Sequence, residues 1–276
     1  MKTGAAETES IELRLLVEAI FQRYHYDFRG YSMASLKRRL VQARERFRCE
    51  SFSALQDRVL HDPEMLLQLL EFLTVQVSEM FRDPLFFKIL RERVVPHLRT
   101  YPSLKVWVAG CSAGEELYSL AILFREEGLE ARTIFYATDI NTEALRKAEA
   151  GVYALDRIAL FTANHRGSGG KSSLSDYYTA AYGNAVFDKS LRQRVVFSDH
   201  SLASDSVFAE TQLVSCRNVL IYFDRELQDR ATGLFKDSLG RKGFLGLGAK
   251  ESLHFSAHAG AFTEFERSER IYQKRG

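Results

Sequence analysis

Cysteine is scarce and scattered: Cys49, Cys111 and Cys216 are odd in number, far apart and without CxxC spacing. That excludes a disulfide framework and a zinc knuckle. The histidines show no ligand spacing on any one helix or strand, so no metal is expected. No apolar stretch reaches the roughly 18 residues that a membrane span needs. The segment Met1 to Ser10 is polar and carries acidic residues, unlike a secretory signal. A cytoplasmic protein without membrane insertion is the expectation. Only 4 prolines and 17 glycines occur in 276 residues, which leaves little room for low-complexity linker, so folded structure is expected nearly throughout. An excess of either charge is also missing: 38 basic against 36 acidic side chains give +2, too near neutral to imply nucleic acid. Electrostatic targeting must come from local clusters.

What is present divides into two textures. From Ile11 to about Phe72, apolar residues recur at helical spacing (Leu13, Leu16, Val17, Ile20, then Leu36, Leu40, Phe47). Breaks fall at Phe28 to Ser32 and at His61-Asp62-Pro63, where Asp62 can cap a helix that starts on Pro63. Beyond Pro102, short apolar runs alternate with helical stretches. The runs are Leu104 to Ala109, Thr133 to Thr138, Gln212 to Cys216 and Gly243 to Gly248, with helices expected over Glu115 to Glu127, Asn141 to Ala150 and Asp224 to Leu239. This alternation predicts a doubly wound, mostly parallel sheet, whose ligands bind beyond the carboxyl ends of the strands. The stretch from about Val152 to Ser198 is too long for a simple connection and reads as an inserted subdomain, with Gly167-Ser168-Gly169-Gly170 as a flexible loop. Phe262 to Glu266 and Arg270 to Lys274 suggest a terminal hairpin.

Chemistry belongs at the strand ends. The first reads Ala109-Gly110-Cys111-Ser112-Ala113-Gly114-Glu115-Glu116, where glycines admit a ligand close to the backbone and a helix N-terminus follows. It lacks the GxGxxG of a pyrophosphate site. The same run could equally be a tight turn, with Glu115 merely favoured at the start of a helix. Asp139 closes the second strand one βα unit later, where a carboxylate can accept hydrogen bonds from ribose hydroxyls; it could instead cap the next helix. A sulfonium cofactor would give Glu115 a task, pairing with a methionyl ammonium.

The run Val75-Gln76-Val77-Ser78-Glu79-Met80-Phe81-Arg82-Asp83 resembles the linker of the CheR protein-glutamate O-methyltransferases, commonly NVTEFFRD. Further marks follow in family order: Val106 to Glu116 resembles WSAACSTGEEPYS, Ala137-Thr138-Asp139-Ile140 resembles ATDI, and Cys216 to Asp224 reads CRNVLIYFD. The resemblance covers nearly the whole chain. It implies an α/β architecture: a small all-helical N-terminal substrate-recognition domain over 1–73, a linker over 74–83 that contributes to the active site, and a Rossmann-like methyltransferase domain over 84–276. That domain is expected to hold a mostly parallel sheet with an antiparallel terminal strand and an inserted small subdomain at about 152–198.

The implied cofactor is S-adenosylmethionine, with S-adenosylhomocysteine as product. Its implied contacts are Gln76, Ser78, Arg82, Gly110, Glu115, Asp139, Ser201, Leu202, Cys216 and Arg217. Arg82, Tyr222 and Ser78 fall on positions at the reacting centre. Outside that context Tyr222 reads as an interface tyrosine and Arg82 as a helix-end cation. The family docks acidic receptor helices on a basic N-terminal helix, which gives Lys37, Arg38, Arg44 and Arg48 a role in recognition; without it they form a solvated face. The implied partner is an acidic, glutamate-bearing helical region of a chemoreceptor or other signalling protein. The alternative is a CheR-like module that binds cofactor and serves as a regulator or scaffold with little turnover. The chain departs from the family pattern at Gln76 and Ser78 (usually Asn and Thr), at Ser201 (usually Asn), and at Gly248 to Ser252, where GHSE is common.

Overall fold

The computed structural model describes residues 2–74 and 77–276, with side chains from residue 6 onward. They fall into two compact units, one of 2–74 with 201–205 and 222–231, the other of 77–200, 206–221 and 232–276.

The first unit is built on four helices: α1 Lys2–Tyr24, α2 Met33–Arg46, α3 Phe52–His61 and α4 Pro63–Leu73. Helix α1 packs on α3 and α2 on α4, burying Leu16, Ile20, Leu36, Leu40, Phe52, Leu55 and Leu69. The Asp62 carboxylate accepts from the Glu64 N–H, with Pro63 at the first helical position. That is the predicted helix start. The break at Phe28 to Ser32 is a turn at Arg29 and Gly30, closed by the Tyr31 N–H on the Phe28 carbonyl at 3.1 Å. Tyr31 bridges to Phe223, the Ser32 N–H donates to the Tyr222 carbonyl at 2.8 Å, and the Asp224 N–H donates to that of Gly30 at 2.9 Å.

The second unit carries the sheet. In chain order it contains α5 Pro84–Ile89, a π turn Leu90–Val94, α6 Val95–Leu98, β1 Leu104–Ala109, α7 Glu115–Glu126, β2 Thr133–Asp139, α8 Thr142–Ala150, β3 Val152–Ala154, α9 Ile158–Gly167, β4 Tyr178–Ala181, β5 Asn184–Phe187, β6 Val195–Asp199 and β7 Thr211–Cys216. Helix α10 Arg225–Ser238, β8 Leu239–Leu247, β9 Phe262–Glu266 and β10 Ile271–Lys274 complete the chain. Seven strands lie in the order β6-β2-β1-β7-β8-β10-β9. All pairings are parallel except those of β10 with β8 and β9. The terminal hairpin is therefore present, and β10 inserts between β8 and β9.

Two sequence expectations shift in detail. Main-sheet strand β6 occupies the tail of the stretch read as an insertion; the separate small sheet is β3-β5-β4. As an edge strand, β6 has no buried residue: Val195 and Phe197 are half buried and Val196, Ser198 and Asp199 exposed, and its apolar run is only three residues long. The glycine run at 167–170 is not a free loop. It closes α9, with the Ser168 N–H bonded to Asn164 and the Gly169 and Gly170 N–H groups bonded to Arg166 and His165, while Ser168 is fully buried.

Candidate functional site

Strand order reverses at β1, which has β2 on one side and β7 on the other. In a doubly wound sheet that reversal opens a crevice at the carboxyl ends of the strands. The turn leaving β1 is tightly made. Gly110 lies at φ +70, and a Cβ there would come within 2.5 Å of Val219 Cγ2, so only glycine fits. The Gly110 and Cys111 N–H groups donate to the Thr138 carbonyl at 2.8 and 2.9 Å, tying this turn to the end of β2. Asp139 completes the tie: Oδ2 accepts from the Ser112 N–H at 2.8 Å and Oδ1 from that of Asn141 at 2.9 Å. Asp139 is thus not the cap of α8. Asn141 is, its Oδ1 accepting from Glu143 and Ala144. Burial pushes the Asp139 carboxyl above its ordinary pKa, opposed by the backbone N–H groups of Asn141, Ser112 and Ile140.

Glu115 opens α7 with only 1% of its surface exposed. Its Oε1 accepts from Arg157 Nη1 at 2.9 Å, whereas Oε2 is buried without a partner among the described residues. Arg157 also donates through Nη2 to the Ser78 carbonyl. It stands in the insertion, after β3, and the same insertion supplies Tyr153, whose hydroxyl donates to the Ala113 carbonyl at 2.8 Å. Glu115, Ser78 and Arg157 therefore meet at one point. Sequence reasoning missed Arg157.

At the end of β7, Cys216 is fully buried, and burial raises its thiol pKa well above the usual range. Arg217 is equally enclosed. Its Nη2 donates to the Arg82 carbonyl at 2.9 Å and to Asp83 Oδ2 at 2.8 Å, and Nη1 donates to Glu116 Oε2 at 3.3 Å. The guanidinium lies 4.1 Å from the Phe86 ring centre. Arg217 thereby anchors the Arg82 backbone between two residues in the left-handed region, Phe81 at φ +52 and Asp83 at φ +56, conformations that cost of order 1–3 kcal/mol each for non-glycine residues. The Arg82 side chain is half buried. Glu251 holds the next loop, accepting from the N–H groups of Gly248 at 2.6 Å, Asn218 at 2.9 Å and Ile221 at 3.2 Å.

Residues 76–270 match the family "CheR methyltransferase, SAM binding domain", and residues 11–74 match "CheR methyltransferase, all-alpha domain". The chain belongs to the CheR family. A Pseudomonas putida relative named for methyltransferase activity, Cher3, is 60% identical over 96% of this chain and 97% of its own. The chemotaxis protein methyltransferase of Listeria innocua is 29% identical over 86% of this chain and 88% of its own. That of Vibrio parahaemolyticus is also 29% identical, over 84% and 88%. This CheR chain is an S-adenosylmethionine-dependent methyltransferase of the chemotaxis type. The site fits that cofactor: a buried carboxylate oxygen on Glu115 lacks a donor among the described residues, and a buried acceptor left unmet costs about 1–3 kcal/mol. A methionyl ammonium supplies both the donor and the opposite charge.

The CheR site residues read from sequence are distributed unevenly. Ser78, Arg82, Gly110, Glu115, Asp139, Cys216 and Arg217 all belong to the sheet-bearing unit. Ser201, Leu202 and Tyr222 belong to the helical one, and Gln76 lies outside the described residues. Leu202 is buried. Ser201 opens a turn in which its Oγ accepts from the Ala203 N–H and its own N–H donates to Asp205 Oδ2. The Tyr222 ring lies 4.6 Å under the Arg39 guanidinium. Arg39 is therefore no part of an exposed basic run: it is buried and also donates to the Leu73 carbonyl and Ser35 Oγ. Of the recognition candidates, Lys37 and Arg44 both pair with Glu9, while Arg38 and Arg48 are exposed.

Proposed function

We propose that this methyltransferase esterifies glutamate side chains on an acidic helical region of a chemoreceptor or related signalling protein. The observation that carries this reading is the match to the CheR methyltransferase domains, with relatives named chemotaxis protein methyltransferase; the residues assigned to the reacting centre from sequence, Arg82, Tyr222 and Ser78, include no imidazole or carboxylate base. A glutamate acceptor needs none, because with an unperturbed pKa of about 4.3 it arrives ionised at neutral pH. The bound cofactor supplies an electrophilic sulfonium methyl. The acceptor oxygen forms the new O–C bond while sulfur keeps the electron pair of the broken S–C bond, leaving S-adenosylhomocysteine and a methyl ester.

The protein's part is placement. Glu115 holds the methionyl ammonium, Asp139 faces the ribose hydroxyls, and Gly110 lets the nucleoside approach the backbone. Arg82, presented by the Arg217 anchor, orients the acceptor carboxylate, and the Tyr222 hydroxyl is assigned to the reacting groups from the sequence alone. Contact from one side suits Arg82, since a bidentate clamp would draw charge from the attacking oxygen. Alignment of this kind is worth roughly 7–11 kcal/mol of barrier.

The test is transfer of radiolabelled methyl from S-adenosylmethionine to a receptor cytoplasmic fragment, followed by treatment with base. Label released as methanol is the expected result. Label that survives base would place the methyl on nitrogen or carbon and overturn the glutamate assignment, and cofactor binding without transfer to any acceptor would favour the regulatory module.

A further inference from the structure

Arg157 pairs with a Glu115 carboxylate that is 1% exposed, yet its own side chain remains 37% exposed. It is held from three directions: Nη1 on Glu115 Oε1 at 2.9 Å, Nη2 on the Ser78 carbonyl, and the Phe161 ring 4.8 Å from its guanidinium carbon. A brace for the linker alone would satisfy the buried carboxylate. This one does not, because Glu115 Oε2 is left buried with no donor among the described residues. The pair therefore presents two unspent capacities side by side: an acceptor with negative charge on Glu115, and on Arg157 a partly exposed cation with more N–H groups than the two contacts use. Their opposite charges stand one hydrogen bond apart.

An α-amino acid presents the mirror of that arrangement, an ammonium and a carboxylate on neighbouring atoms. A neutral ion pair receives such a zwitterion without leaving net charge in a poorly solvated place, and the planar guanidinium suits a carboxylate. We propose that Arg157 is the seat of the cofactor's methionyl carboxylate, so that the insertion joins α7 in reading the amino-acid end of S-adenosylmethionine. The assignment rests on Glu115 belonging to the cofactor pocket. It adds a contact from a segment outside the motifs that carry the family resemblance.

The test compares two probes by calorimetry, S-adenosylhomocysteine and its decarboxylated analogue, which keeps the ammonium and lacks the carboxylate. In Arg157→Ala, affinity for S-adenosylhomocysteine falls about tenfold or more, as for one charge-assisted hydrogen bond. Affinity for the decarboxylated analogue is unchanged or rises, because Glu115 no longer shares its charge with Arg157. Arg157→Lys recovers part of the discrimination between the two probes. Arg157→Gln, with its melting temperature measured beside wild type, replaces the alanine variant if that one fails to fold. Equal weakening of both probes would make Arg157 a linker brace and overturn the proposal, as would no change in either. A wild-type protein that binds neither probe would instead remove the pocket assignment on which the proposal stands.

Discussion

Asp139 holds the turn between two strand ends, and the proposed function gives the same carboxylate a ligand as well. Its two oxygens already accept backbone N–H groups of Ser112 and Asn141, at the carboxyl end of β2. Asp139→Ala is expected to weaken S-adenosylhomocysteine binding by about 1.5–3 kcal/mol and to lower the melting temperature through the loosened turn. Calorimetry with unchanged affinity would reduce Asp139 to a turn residue. Tyr222→Phe separates binding from chemistry. The ring stays under Arg39 and the backbone bond from Ser32 stays, so only the hydroxyl is lost. A fall in kcat worth about 0.5–1.5 kcal/mol with intact cofactor affinity is expected; loss of cofactor binding would move Tyr222 into the cofactor pocket. Residues whose neighbours are local were legible in the sequence: the Asp62-Pro63 helix start, the Gly110 turn, the acidic end of β2. Arg157 was not, because its partner Glu115 is 42 positions away and no periodicity reports such a pairing. The burial of Arg39 was not legible either, since its contacts at Leu73 and Tyr222 lie far along the chain.

Between elements, the back of the methyltransferase unit is fastened by charge. Arg91, from the π turn after α5, pairs with Glu126 and Glu127 at the end of α7 and donates to the Ser168 carbonyl at the end of α9. His165 Nε2 lies 3.0 Å from Glu126 Oε1, and Arg99 and Lys171 add contacts to Glu127. Burial alone would raise the Glu126 carboxyl, but the His165 hydrogen bond and the Arg91 charge outweigh it and hold the group at about 2 instead of 4.5. The sign follows from linkage. A depressed folded-state pKa stabilises above the unfolded value, and that contribution is lost as pH falls from about 4.5 toward about 2. Melting temperatures across that acid range should drop less steeply for Glu126→Gln than for wild type, from a lower starting value; parallel curves would show that Glu126 does not contribute. The strand and helix order was legible because the central strands β1, β2 and β7 each carry a short apolar run. This network was not, since its members are single charges on four separate segments, and the glycine run that looked loose is one of its supports.

At the scale of the whole molecule, a net charge of +2 leaves recognition to position rather than to total charge. Two of the four basic candidates are engaged by Glu9, so a test of docking belongs at the exposed pair. Arg38→Glu with Arg48→Glu is expected to lower kcat/KM for the acceptor protein while leaving S-adenosylhomocysteine affinity alone. The wild-type rate should fall with added salt as screening shortens the range of attraction. Equal rates for variant and wild type would make the stripe an ordinary solvated face. The three thiols add a practical consequence. Cys111 and Cys216 are sealed in the core, and Cys49 alone is partly accessible. In the native fold a maleimide dye should therefore attach at Cys49, beside Arg48 on the proposed docking face, where its fluorescence can follow acceptor arrival without the introduction of a new cysteine.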